Sequence, residues 1–297
     1  MPVIDTDLVA HLLASQFPNW AGLDLRPAPL DGHDNRTFRL GDDLAVRLPS
    51  HERYAAQPAL EHEWLPVLAA GRLPLAIPES LALGRPDCQF RWPWSIRRWL
   101  PGQTLAVSPT PISAKVAEQL GVFLVALHKV PTAGAPRPGP QNFYRGASPA
   151  AYDDVTQAAI AELASVIDDR RARAVWIEAT DSPIEAEPVW VHGDITPSNL
   201  LGTDTTLTAV IDFGCLAVAD PACDLTIAWT AFDGHARETF LGLVDPTDGT
   251  LARARGWALW KALVTLRQGR QAAEGLRLGF GWRWPVPEII QRVLSNG

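Results

Sequence analysis

A chain of 297 residues, 47% hydrophobic and 20% charged, with 12 tryptophans, is too apolar to be disordered and long enough to outgrow one core, so a bilobal unit or two domains is expected. Its net charge of −7 excludes a broad phosphate-backbone footprint, and with it nucleic acid as a main partner. Asp5 and Asp7 stand where a secretory leader carries positive charge, the apolar runs fall short of a bilayer, and Cys88, Cys215 and Cys223 form neither a disulfide framework nor a C-x-x-C pair, which predicts a cytoplasmic protein with no membrane partner.

Leu8, Val9, Leu12 and Leu13 have helical spacing over residues 6–17, closed by Pro18. Residues 37–48 hold two short alternating runs around Gly41-Asp42-Asp43, the punctuation of a hairpin. Strand parity then groups Phe38 with Leu40 and Val46 with Leu48, and turns Ala45 and Arg47 to the opposite face. A helix is predicted over 59–70 and a strand over 94–100, ending at Pro101-Gly102. From residue 113 the texture becomes helical, with Val116, Leu120, Phe123, Leu124 and Leu127 on one face of a helix running to about 128. A proline-rich loop follows over 131–140, then a helix over 152–180. Residues 189–191 and 207–211 are short β-type runs, and 224–232 and 253–267 are further helices. Only three lysines occur, Lys115, Lys129 and Lys261, so the first 114 residues contain none.

The chemistry is concentrated in His192-Gly-Asp-Ile-Thr-Pro-Ser-Asn199 and Ile211-Asp-Phe-Gly214. Phosphoryl transfer from a nucleotide needs one carboxylate to orient or deprotonate the acceptor hydroxyl, and an amide plus a second carboxylate to hold Mg²⁺ against the phosphates. H-x-D-x-x-x-x-N supplies the first two and D-F-G the third. Between Asn199 and Asp212 there is room for a strand, a turn at 202–206 and a second strand, which returns both residues to one end of a hairpin.

These motifs resemble the aminoglycoside phosphotransferase family, small-molecule relatives of the protein kinases, in which Gly follows the His where protein kinases usually have Arg. Leu120-Gly-x-x-Leu-x-x-Leu-His128 and Ala219-Asp-Pro-x-x-Asp224 are similar to further segments of that family. The resemblance implies an α+β, two-lobed, protein-kinase-like fold, with residues 1–98 as a sheet-containing nucleotide lobe and 99–297 as a helical lobe carrying the catalytic loop and acceptor site. It implies Asp194 as catalytic base, Asn199 and Asp212 as Mg²⁺ ligands, and ATP or GTP as donor. His192 is expected to shape the loop by packing, and Asp220 and Asp224 to brace it.

The nucleotide side departs from the kinase pattern. Ala45-Val-Arg47 fits the strand that faces adenine and phosphate, with Arg where kinases have Lys. Glu61 is the expected helical partner of Arg47, with Glu63 as the alternative. The phosphate-covering loop falls at residues 30–35 and the adenine-reading hinge at Arg98, Trp99 and Leu100. The implied function is Mg²⁺-dependent transfer of a γ-phosphate to a hydroxyl of a small molecule, an aminoglycoside-like antibiotic at family level. The alternatives are a metabolic kinase for an amino alcohol or sugar, and a catalytically silent nucleotide-binding module. A polycationic acceptor would draw on Asp153, Asp154, Asp233 and Glu238. A protein substrate is disfavoured, because only residues 215–219 separate D-F-G from Asp220-Pro221.

Overall fold

The computed structural model describes residues 3–28, 34–107, 111–203, 205–271 and 282–295. Four of the six positions expected to cover the phosphates, residues 30–33, lie outside them. Helix α1 (Thr6–Gln16) starts at Asp5, whose carboxylate accepts the Leu8 amide at 3.0 Å, and it buries the four apolar residues that the spacing singled out. Strands β1 (Leu25–Pro27), β2 (Asn35–Leu40) and β3 (Leu44–Pro49) are antiparallel neighbours, with Phe38 opposite Val46 and Leu40 opposite Leu44. Helix α2 (Gln57–Ala70) follows, then β4 (Ser80–Gly84) and β5 (Trp94–Arg98), completing a sheet of order β1-β2-β3-β5-β4. Phe38, Leu40, Val46 and Leu48 join α1, Trp94 and Ile96 in one core, while Arg47 faces away from it, as the parity requires.

After β6 (Gln103–Thr104) comes α3 (Ala114–Leu127), capped by Ser113, which accepts the Val116 amide. The predicted helix over 152–180 is two helices, α4 (Asp153–Leu163) and α5 (Asp169–Asp181). The break is set by Asp168, whose carboxylate accepts the Arg171 amide at 2.9 Å and starts the second helix. Strands β7 (Val189–Val191), β8 (Leu200–Gly202), β9 (Leu207–Val210) and β10 (Ala217–Ala219) form two small sheets, β10-β7 and β6-β8-β9. The predicted helix over 224–232 opens as a tight turn over Pro221–Thr226 and becomes α-helical only in α6 (Ile227–Thr230). Helices α7 (Gly234–Val244), α8 (Asp248–Gln271) and α9 (Val286–Leu294) close the lobe. Among the described residues no helix is long and apolar enough to cross a membrane.

The second core runs from Leu65 and Leu68 of α2 through α3, the small sheets and α8 to α9. Helix α2 therefore packs on both halves, and the parallel bridge between Ala76 and Ala209 ties the segment after it to β9. The chemistry-bearing loops sit where these two bodies meet.

Candidate active site

Strand β7 is buried on the large core and delivers His192 to the end of the β10-β7 sheet. Two backbone amides there, of His192 and Gly193, donate to the two carboxylate oxygens of Asp224, each at 2.7 Å. Burial pushes Asp224 up from the ordinary carboxylate range, against the opposing pull of His192 and those amides. Gly193 has φ +84°, and a Cβ on it would lie 2.5 Å from the Cys215 carbonyl, so only glycine passes between the two loops.

His192 shapes the loop rather than facing a ligand. Its Nδ1 accepts the Asp194 amide at 3.1 Å, so Nε2 carries the proton donated to the Ile211 carbonyl at 2.9 Å, and its ring meets Phe213 edge-on at 4.5 Å. The histidine of the first motif thus fixes the position of the second. Asn199 closes the loop: its Nδ2 donates to the Asp194 carbonyl at 2.9 Å and to Asp194 Oδ2 at 3.3 Å. Its carbonyl accepts the Ile211 amide at 2.9 Å, just beyond the β8–β9 hairpin. Asp194, Asn199 and Asp212 are therefore brought to one place, at the same hairpin end that the spacing indicated. Asp212 has φ +67°, a left-handed conformation that costs an L-residue about 1–2 kcal/mol.

On one side of this constellation stands Arg47, whose Nη2 donates to Asp212 Oδ1 at 2.8 Å and whose Nη1 lies 3.6 Å from Glu61 Oε1. Burial opposes the charge on Arg47, but Asp212 and Glu61 outweigh it and hold the guanidinium above its ordinary range. Asp212 is in turn held below the carboxylate range, since Arg47 overcomes its desolvation. Glu61 reaches Arg47 but is bound more closely by Arg97, which takes both carboxylate oxygens and also donates from Nε to Ser95 Oγ at 3.0 Å. Arg97 was not anticipated. Its register opposite Ala45, beside the Arg47–Ser95 pair, puts it on the same face as Arg47. Glu63 is exposed. At the expected hinge, the Arg98 and Trp99 amides donate to the carbonyls of Glu79 and Asp43. Arg98 is drawn outward to Glu79, and Trp99 stacks on the Arg39 guanidinium at 4.2 Å. Those two amides are therefore already committed within the sheet-bearing half.

On the other side of Asp194, Lys261 Nζ lies 2.5 Å from Oδ1. Burial works to raise the Asp194 carboxyl, but Lys261 and then Arg145 prevail and hold it at about 2. Lys261 is a site residue that the sequence reading missed. The available signal was a rare lysine one turn after Trp257, inside an otherwise apolar helix face. A cleft opens here, lined by Arg145, Gly193, Asp194, Cys223, Thr226, Trp257 and Lys261. Burial pushes the thiols of Cys215 and Cys223 well up, so neither is a ready nucleophile. Asp220 does not brace the catalytic loop directly. It forms a buried two-point pair with Arg253 of α8, Nε–Oδ2 2.6 Å and Nη2–Oδ1 3.0 Å.

Among the described residues no group of three or more His, Cys, Asp or Glu converges on a metal position. The donor set at the motifs suits Mg²⁺ nonetheless. That ion takes few protein ligands and completes its shell with phosphate oxygens and water. Asn199 has its amide nitrogen tied to Asp194, leaving the hard Oδ1, and Asp212 offers a carboxylate held in its ionised form.

The profile of the phosphotransferase enzyme family matches residues 24–277. No curated protein matches the chain. Among solved structures, the GDP complex of aminoglycoside 2'-phosphotransferase-IIIa superposes with a TM-score of 0.71 at 19% identity, covering 98% of this chain and 99% of the other. The kanamycin and GDP complex of the same kind of enzyme gives 0.67 at 18% identity, covering 97% and 96%. The macrolide 2'-phosphotransferase of Brachybacterium faecium gives 0.62 at 22% identity, covering 90% and 94%.

Proposed function

The chain belongs to the phosphotransferase enzyme family, and from that premise we propose that it moves the γ-phosphate of ATP or GTP to a hydroxyl group of a small molecule. The observation that carries this reading is the convergence of Asp194, Asn199 and Asp212, locked by His192 between the two loops. Asp194 orients the acceptor hydroxyl. The acceptor oxygen forms its bond to the γ-phosphorus while the bond from that phosphorus to the bridging oxygen breaks. The nucleoside diphosphate leaves with the electron pair, and the hydroxyl proton passes to Asp194 and on to solvent. A carboxylate held at about 2 is a weak base, so its contribution is orientation first and proton acceptance late, as a loose phosphoryl-transfer transition state requires. Asn199 and Asp212 would hold Mg²⁺, which when bound neutralises charge on the phosphates. Residues 1–98 serve as the nucleotide lobe, with Arg47 as phosphate cation and Ala45 beneath the adenine. Residues 99–297 present the acceptor.

Protein substrates are disfavoured by the same reading, because β10 follows D-F-G directly and leaves no span for a peptide ledge. The finer assignment, an aminoglycoside-like antibiotic, is supported by the substrates named for the neighbouring structures. The acidic residues that would meet a polycation lie elsewhere. Asp153 accepts the Trp176 indole at 2.7 Å, Glu238 pairs with His235, and Asp154 and Asp233 are exposed on other elements. A coupled assay of nucleoside-diphosphate release over aminoglycosides, macrolides, amino alcohols, sugars and hydroxy acids tests the activity. Silence with every acceptor and both donors would leave only a nucleotide-binding module.

The role of Arg47 has its own test. Arg47→Ala should raise the nucleotide KM and lower kcat, each by roughly tenfold, the worth of one hydrogen bond to a charged group. Arg47→Lys should recover part of both, because the charge returns without the two-pronged donor. Unchanged kinetics in Arg47→Ala would remove it from the phosphate site.

A further inference from the structure

The cleft beyond Asp194 holds an excess of donors and positive charge. Lys261 is neutralised by Asp194. Arg145 lines the same cleft, yet among the described residues no carboxylate pairs with it, and its buried Nε has no acceptor. Its guanidinium instead lies over two indoles, 4.7 Å from the Trp260 ring centre and 5.6 Å from that of Trp257. Those contacts offset only part of the cost of desolvating a cation. Among the described residues, the indole Nε1 atoms of Trp257 and Trp260 are also buried without an acceptor. Guanidinium and indole N–H groups can only donate, so among the described residues Arg145 and Trp257 bring two unmet donors to the cleft, with the Trp260 indole packed against the same guanidinium. Of the nearby acids, Asp194 is shared with Lys261, and Asp220, Asp224 and Asp153 are bonded to Arg253, to the His192 and Gly193 amides and to Trp176.

Resting on the phosphotransferase reading, the geometry points to an acceptor alcohol that carries a carboxylate or phosphate beside its hydroxyl. The hydroxyl sits on Asp194, the anionic group on Arg145, and the carbon skeleton against Trp257. A polycation would meet like charge from Arg145. The anion belongs to the acceptor and not to the donor nucleotide, because the cleft is lined by neither Arg47, Asn199 nor Asp212. The transfer chemistry is unchanged, and the product is a phosphate ester that still bears the original anionic group.

The test is equilibrium binding by calorimetry at low, fixed ionic strength, with the nucleotide site saturated by MgADP. D-glycerate, D-gluconate and glycerol 3-phosphate are the anionic probes, glycerol and D-glucose their neutral partners, and kanamycin the cationic one. At least one anion should bind tenfold or more tightly than its neutral partner, and kanamycin should bind more weakly than that anion. Arg145→Gln should weaken the anion by about ten- to a hundredfold while MgADP affinity stays within twofold, which also reports that the variant is folded. Arg145→Lys should retain most of the binding. The inference is overturned if no anion exceeds its neutral partner, if kanamycin binds tightest, or if Arg145→Gln weakens MgADP instead. Anion binding that persists without nucleoside-diphosphate release from any panel member, given ATP or GTP, would support the anionic cleft while sinking the phosphotransfer reading.

Discussion

Asp194→Ala is expected to lower kcat by about a thousandfold while nucleotide binding survives. General acid–base groups at a reaction centre contribute on the order of 10²–10⁴, and Asp194 is the one carboxylate of the two motifs that touches the acceptor-side cleft. The phosphate-side contacts of Arg47, Asp212 and Asn199 do not include its carboxylate, apart from the 3.3 Å approach of the Asn199 amide. Steady-state turnover together with MgADP titration separates the two effects. Normal turnover with lost nucleotide affinity would move Asp194 out of the reaction centre. The pH profile adds a sign. With its carboxyl held at about 2 by Lys261 and Arg145, Asp194 stays ionised down to roughly pH 3, so wild-type turnover should show no acid limb from it at pH 5–8. Lys261→Met removes the larger of those two cations. Burial then acts with less opposition, the Asp194 carboxyl rises, and activity should be lost on the acid side at a higher pH than in the wild type.

Much of this arrangement was legible in the sequence because it is local. The hairpin over 35–49 announces its own register through alternation, so the outward placement of Arg47 needed no structure. The two motifs carry the spacing of a β8–β9 hairpin between them, which is why Asn199 and Asp212 could be placed together. What escaped was non-local. Lys261 comes 67 residues after Asp194 on α8, and Arg97 meets Glu61 across 36 residues. No periodicity marks such encounters. Helix α9 escaped for a different reason. Pro285 and Pro287 stand at its cap and in its first turn, where a missing amide costs nothing, so prolines flank a helix they do not break. The break between α4 and α5 was hidden because residues on both sides of it suit a helix, and a single capping carboxylate, Asp168, decides the matter.

Arg253→Met should destabilise the protein by about 3–5 kcal/mol, the usual cost of leaving one member of a buried ion pair without its partner. The pair is almost wholly out of water: the Arg253 side chain is 2% exposed and that of Asp220 0%. Beyond its two bonds to Asp220, Arg253 donates from Nη1 to the Pro183 carbonyl at 2.6 Å and from Nη2 to Thr250 Oγ1 at 3.2 Å. Asp220, through its amide, also donates to the Gly146 carbonyl, next to Arg145. The pair therefore joins α8, which carries Trp257 and Lys261, to the strand end that follows D-F-G. Asp220→Leu should cost a similar amount, because the guanidinium is then the uncompensated charge. The double variant, Arg253→Met with Asp220→Leu, should recover more than half of either loss, since an apolar pair of similar volume is often as stable as the ions it replaces. Recovery stays incomplete because the Pro183 carbonyl and the Thr250 hydroxyl have lost their donor. Urea denaturation of the three variants measures this cycle directly. Single substitutions costing less than about 1 kcal/mol, or a double variant no better than the sum of the two, would show that the pair does not hold the lobe together. In the folded fraction of each variant the nucleotide KM should remain that of the wild type, because the pair touches neither Arg47 nor Asp212. That separates bracing from catalysis: a fold that weakens, around a phosphate site that does not.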